Sequence, residues 1–253
     1  MSNYDLYQHY LGIGMSFVIK KKMLDYELND FDNEFCGIFY DSMFIYKSFE
    51  TMRMICSLIE KIPSKDFFDE REILEDEYLK YHIENYLGCI FSMLDKLSKL
   101  LNGIYELGIK DFHCSFIKII KYHLKSLPQD IQFILCDLNV KTKKLRKYRN
   151  HIVHKGEFND EEWFMFSGLS FLSRKSDSGV PNEQLRREVN KEFERYYGYL
   201  VENNGVLSNS VMKILEVMAP IIKEKTETTI NSWSKNEKEI VYKELEKRNN
   251  NFA

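Results

Sequence analysis

The sequence predicts an all-α protein, an up-and-down helical bundle with additional C-terminal helices, on three observations. Apolar residues recur at spacings of three and four over long stretches. Only 11 Gly and 4 Pro punctuate 253 residues, so turns are few and elements long. Eighteen Phe and 16 Tyr supply the large rings that fill such cores. With 44% hydrophobic and 30% charged residues, the chain has a core to bury and does not read as disordered.

Taken in order, residues 1–33 read as an N-terminal extension with one short helix or strand. From about 34 to 62, Ile38, Ile45, Phe49, Met52, Cys56 and Ile59 keep helical spacing, and Pro63 stops the helix. A second helix is expected over about 72–101. Its stripe Ile83, Leu87, Ile90, Leu94, Leu97, Leu101 and Ile104 demands partner helices along its length, and Asn102-Gly103 is expected to end or bend it. A third covers about 111–126, closed by Pro128, and a fourth about 130–154, with Gly156 at its C-cap. These four make the bundle, 34–156. Residues 157–181, with Trp163, several Phe and the run Ser173 to Pro181, read as a loop or insertion. Residues 182–253 read as C-terminal helices packing on the bundle: 182–202 opened by Pro181, another from 208 bending near Pro220, and a polar one over about 234–249.

Composition sets limits on function. The net charge of −3 points to no partner at the level of the whole chain. Five scattered cysteines, Cys36, Cys56, Cys89, Cys114 and Cys136, make neither a disulfide framework nor a zinc knuckle and suggest buried thiols in the reducing cytoplasm. No secretory signal and no apolar run of about 20 residues is evident, so no membrane role is expected. His9, His82, His113 and His123 form no metal pattern, and Glu84, Tyr86 and Asp95 read as structural. The tyrosines at 78–86 and 196–199 read as packing rather than as base-stacking platforms. Phosphate-binding Gly loops and hydrolase or zinc-protease motifs are missing from the sequence.

One stretch stands apart. Lys141 to Gly156, KTKKLRKYRNHIVHKG, holds seven Lys or Arg, two of the six His and no acid. Such a patch favours phosphate, although basic residues at a helix C-terminus also serve the macrodipole. Within it lies Arg149-Asn150-x-x-x-His154. An Arg-x4-His match arises by chance roughly 0.2 times here, and roughly 0.02 times with Asn after the Arg. Arg146 to His151 repeats the spacing without the Asn.

The Arg149-Asn150…His154 text resembles the signature of the HEPN superfamily, small all-helical proteins named for higher-eukaryotic and prokaryotic nucleotide binding. The likeness covers about 34–156, and the extra C-terminal helices resemble those of larger bacterial members. It implies a metal-independent endoribonuclease without cofactor, in a toxin or phage-defence setting. Arg149, Asn150 and His154 would be catalytic; Lys144, Arg146, Lys147, His151 and Lys155 would bind RNA. It also implies a homodimer, and an antitoxin or regulatory protein as a further partner. The residue types suit that chemistry. RNA carries its own 2′-hydroxyl nucleophile, a His moves protons near neutral pH, and an Arg meets the charge growing on the phosphate. Asn150 and His154 share a helix face, whereas Arg149 lies about 140° from His154, so convergence calls for a frayed helix or a second copy. The competing reading is a non-catalytic HEPN bundle that binds nucleotide, RNA or a partner protein; a helical scaffold with an accidental motif is a third.

Overall fold

The structure, a computed structural model, describes residues 3–61, 63, 65–155, 161–173 and 182–239. The chain is all-α: among the described residues there is no strand, and the helices are α1 (Asn3–Met23), α2 (Asp30–Glu60), α3 (Lys65–Arg71), α4 (Glu75–Ile104), α5 (Phe116–Lys118), α6 (Gln129–Lys141), α7 (Lys143–Lys155), α8 (Glu161–Ser173) and α9 (Asn182–Asn231). They form two compact units, one of residues 1–45, 94–136 and 210–253, the other of residues 46–93 and 137–209.

In the first unit the N-terminal extension, expected to hold one short helix or strand, is the 21-residue helix α1. Tyr7, Leu11, Met15 and Val18 are buried along one side. The Tyr7 hydroxyl shares a hydrogen bond with Ser42 Oγ at 2.6 Å, and burial pushes its pKa well above the ordinary tyrosine value. Thr226 of α9 donates to the Tyr10 carbonyl at 3.2 Å. The end of α1 is tied to the start of α2 by a buried polar knot. Lys21 Nζ donates to Asp32 Oδ2 at 2.9 Å, Trp233 Nε1 donates to Asp32 Oδ1 at 2.7 Å, and Glu237 lies 3.2 Å from Lys21. Asn29 and Asp32 cap α2 reciprocally, each side chain accepting the other's backbone N–H at 2.9 Å. Ser234 and Glu237 repeat that box in the last described turn. Of the C-terminal helix expected over 234–249, residues 240–249 lie outside the described residues, as do Gly156 and Pro181.

α4 does not end at Asn102-Gly103. It runs on to Ile104, and the Asn102 side chain instead brackets the Ile109 backbone, accepting its N–H at 3.0 Å and donating to its carbonyl at 2.8 Å. The left-handed residue that closes α4 is Glu106, φ 50°, with the Leu107 N–H bonded to the Asn102 carbonyl. The helix expected over 111–126 is broken into a 3-10 turn, the short α5, a π turn and a second 3-10 turn. Asp95 takes up the slack by accepting the Phe116 N–H.

In the second unit the segment expected as a loop or insertion carries α8. Its Trp163, Phe166 and Ser170 are buried, and the two rings meet Tyr196 and Phe193 edge-on at 5.5 and 6.0 Å. Its other side leaves Phe164, Met165 and Phe171 exposed. The mixture of two apolar faces obscures the helical period there. Glu75, at the start of α4, is buried and accepts Arg186 Nη1 at 2.7 Å and Ser170 Oγ at 3.0 Å. α9 is one helix of 50 residues, without the break expected between 202 and 208, and Pro220 lies inside it on an exposed turn. By length and composition alone it holds a stretch able to cross a bilayer, although the sequence shows no apolar run of about 20 residues; 44% of that window is buried inside the protein. Its charged Lys213 and Glu216 interrupt the run without spoiling the stripe of Val211, Ile214, Leu215, Met218 and Ile222, all buried.

Candidate nucleic-acid interface

The basic stretch folds as the end of α6 and the whole of α7. The expected single helix over 130–154 is divided at Thr142, whose side chain is buried and donates to the Leu138 carbonyl at 2.7 Å. Such back-bonding bends a helix without breaking its ladder. Thr142 N–H still bonds Leu138 at 2.9 Å, and Arg146 N–H bonds Thr142 at 2.9 Å. Leu145 is buried, and Tyr148 and Ile152 are half-buried on the same side, which fixes the rotation of α7.

That rotation sorts the motif. Lys143, Lys147, Asn150 and His154 fall at i, i+4, i+7 and i+11 on the side away from Leu145, and all four are exposed. Asn150 and His154 therefore stand together on one open face, with two lysines in line below them. Arg149 is exposed as well, but it points about 140° away from His154 around the helix. Its Nη1 donates to Asn150 Oδ1 at 3.4 Å, the one link among the three motif side chains in the described structure. Lys141 pairs with Asp137 at 2.6 Å, whereas among the described residues Lys143, Lys144, Lys147 and Arg149 face no carboxylate within ion-pair distance.

The remaining basic residues separate into different roles. Arg146 is half-buried and turned inward, donating to Asn139 Oδ1 at 3.1 Å and Thr142 Oγ1 at 3.2 Å across the α6–α7 bend. Burial holds its pKa below the ordinary arginine value. Its guanidinium braces the bend, whereas Lys147 projects into solvent. His151 is half-buried, and its Nε2 is buried with no hydrogen-bond partner among the described residues. The side chain of Lys155 lies outside the described residues. Lys144 is exposed and rests against two rings, its Nζ 5.5 Å from the centroid of Tyr148 and 5.5 Å from that of Tyr199. Tyr199 comes from α9. Its neighbour Tyr196 is buried packing, as the sequence suggests, but Tyr199 is half-exposed beside the basic patch. Only Tyr148, one turn after Lys144, carried a signal of this arrangement in the sequence.

Elsewhere several polar side chains tie the fold together. His82 is buried against Tyr78, ring centroids 4.4 Å apart, and burial lowers its pKa. Tyr86 donates to the Leu200 carbonyl at 2.9 Å. Among the described residues no three of His, Cys, Asp or Glu gather so as to hold a metal ion. Burial pushes up the thiols of Cys36, Cys56, Cys89 and Cys114, the last to about 11. Cys136 is exposed, and all five are unbridged.

Compared with known proteins, residues 40–197 match a family model described as Cthe2314-like HEPN. That span contains α7 and runs on through α8 into α9, past the boundary at 156 that the motif suggested. No curated protein and no solved structure matches the chain.

Proposed function

The chain belongs to the HEPN superfamily, in its Cthe2314-like family, and from that membership we propose that it is a metal-independent endoribonuclease. Members of this superfamily commonly have ribonuclease or nucleotide-related functions. The observation that carries the finer reading is the open face of α7, where Asn150 and His154 stand one turn apart above Lys143 and Lys147.

In this reading the strand lies along α7, its phosphates held by Lys147 and its neighbours. His154 takes the proton of the 2′-hydroxyl or returns one to the leaving 5′-oxygen. Attack of that hydroxyl on the adjacent phosphorus forms a 2′,3′-cyclic phosphate and releases a 5′-hydroxyl. Asn150 orients His154 through its amide. Arg149 supplies the planar positive charge for the non-bridging oxygens. Because Arg149 and His154 diverge on one helix, the reading includes a two-fold homodimer in which Arg149 of one copy completes the site around His154 of the other. Control by an antitoxin or regulatory protein, and a toxin or phage-defence setting, belong to the same proposal. Five unbridged thiols go with a reducing compartment.

Cleavage of RNA in chelator, by wild type and variants, is the test. His154→Ala and Arg149→Ala should each lose at least ~10²-fold in rate, with binding less affected. His151→Ala, in the same patch but outside the better motif, should be milder. Mixing the two inactive variants should restore roughly a quarter of wild-type activity, since each heterodimer carries one intact composite site. Wild-type cleavage by folded His154→Ala would end the catalytic assignment. A mixture that stays inactive would end the shared site. A wild type that binds RNA and never cuts it would turn the reading to a non-catalytic HEPN bundle.

A further inference from the structure

We propose that Tyr148 and Tyr199 form a stacking subsite for one unpaired RNA base, with Lys144 as the counter-charge of the adjoining phosphate. The proposal rests on the ribonuclease reading of α7 and deepens it by naming the form of the substrate, a single strand with its bases turned out.

An ammonium held against two rings is the starting observation. Lys144 Nζ sits 5.5 Å from both tyrosine centroids, one on its own helix and one 55 positions further along the chain. Lys144 is exposed, and among the described residues it faces no carboxylate, so it draws on the ring quadrupoles and on water. In water that contact is weak and easily exchanged. The backbone that carries the rings is anchored. Tyr86, fully buried, donates to the carbonyl of Leu200, the residue after Tyr199, and Leu145, the residue after Lys144, is buried. Two rings on anchored helices with an exposed cation against them make an arrangement suited to single-stranded nucleic acid. The base occupies the ring face that the ammonium leaves, and the ammonium moves to the neighbouring phosphate.

Placement agrees with that occupant. Lys144, Lys147, Tyr148 and His151 follow one another at i, i+3, i+4 and i+7 along α7, so they form a stripe that leads toward His154. Tyr148 precedes His154 by six residues, about 9 Å along the axis and about 120° around it, so a strand with a base on the platform reaches His154 by crossing the α7 surface past Lys147 and His151. A duplex keeps its bases stacked inside and offers none to the rings.

Full-length protein and a non-cleavable 2′-O-methyl RNA strand provide the test, read by fluorescence anisotropy beside the same strand made abasic. Tyr199→Ala should bind the base-bearing strand roughly 10-fold or more weakly and the abasic strand as wild type does. Tyr199→Phe should bind both like wild type. Tyr199→Trp adds a direct readout: its fluorescence should be quenched by the base-bearing strand and not by the abasic one, which decides the matter even if Tyr199→Ala fails to fold. Equal weakening of both strands, or an unquenched Tyr199→Trp that still binds, would overturn the subsite and leave the ribonuclease reading standing. A wild type that binds neither strand would overturn both.

Discussion

Single side chains decide how α1 and α2 meet. Gly14 faces the buried Phe35, and a Cβ there would run into the ring, whereas a Cβ on Gly12, two residues earlier and on the other side of the helix, would meet nothing. The two glycines of one helix therefore respond in opposite directions to the same substitution. Gly14→Ala should destabilise the protein by about 1–3 kcal/mol through overpacking. Gly12→Ala should stabilise it by about 0.5–1 kcal/mol, because alanine is the better helix former. Chemical denaturation of the two variants checks this, and a Gly14→Ala protein as stable as wild type would show that Phe35 moves aside freely. The same resolution separates two cations of α7. Arg146 and Lys147 are neighbours, yet the first is turned toward Asn139 and Thr142 and the second faces water.

At the scale of elements, the start of α4 is held to α8 and α9 through one carboxylate. Glu75 is almost wholly buried and accepts from Arg186 and Ser170, while Arg186 Nη2 also donates to the Pro63 carbonyl at 3.2 Å. Removing one partner of such a pair strands the other charge. Arg186→Ala should cost about 3 kcal/mol, the low end for a buried pair, because the arginine keeps 27% of its side-chain surface exposed. Replacing both partners, Glu75→Gln with Arg186→Met, should cost less than Arg186→Ala alone. A double variant weaker than the single one, by urea denaturation, would show that the pair is not the reason for the loss.

For the molecule as a whole, pH dependence follows from groups that burial and pairing perturb. His82 is held below its ordinary 6.5 by burial, so the folded state resists the proton that the unfolded chain accepts. Its contribution is complete above 6.5 and is lost as pH falls from there toward the lowered folded value. Glu237 is held below its ordinary 4.5, chiefly by its hydrogen bond from Ser234 and further by Lys21, so its contribution is lost only below that value. Stability should fall in two stages on acidification, the first assigned to His82. His82→Leu should flatten the slope just below pH 6.5 and leave the stage below pH 4.5. Denaturation midpoints measured across that range decide it, and an unchanged upper slope would remove His82 as the cause.

The sequence by itself determined the all-α class, the course of the helical stripes, and the Arg149-Asn150…His154 text with its basic surroundings. These are local properties: a repeat of 3.6 residues writes itself into the spacing of Leu, Ile and Phe, and a motif is complete within one helix. It also carried the divergence of Arg149 from His154, since helix geometry alone sets that angle. Tertiary structure decided what depends on neighbours distant in the chain. The face that α8 buries was hidden by apolar residues on both of its sides, and Trp163 and Phe166 became inner residues only when Tyr196 and Phe193 met them. The partner of Lys144 was equally unreadable, because Tyr199 arrives from α9 and nothing in its surroundings of Tyr196 and Tyr197 marks it as the ring that would face the basic patch. Spacing records which side of a helix a residue occupies; what stands opposite that side is settled only by packing.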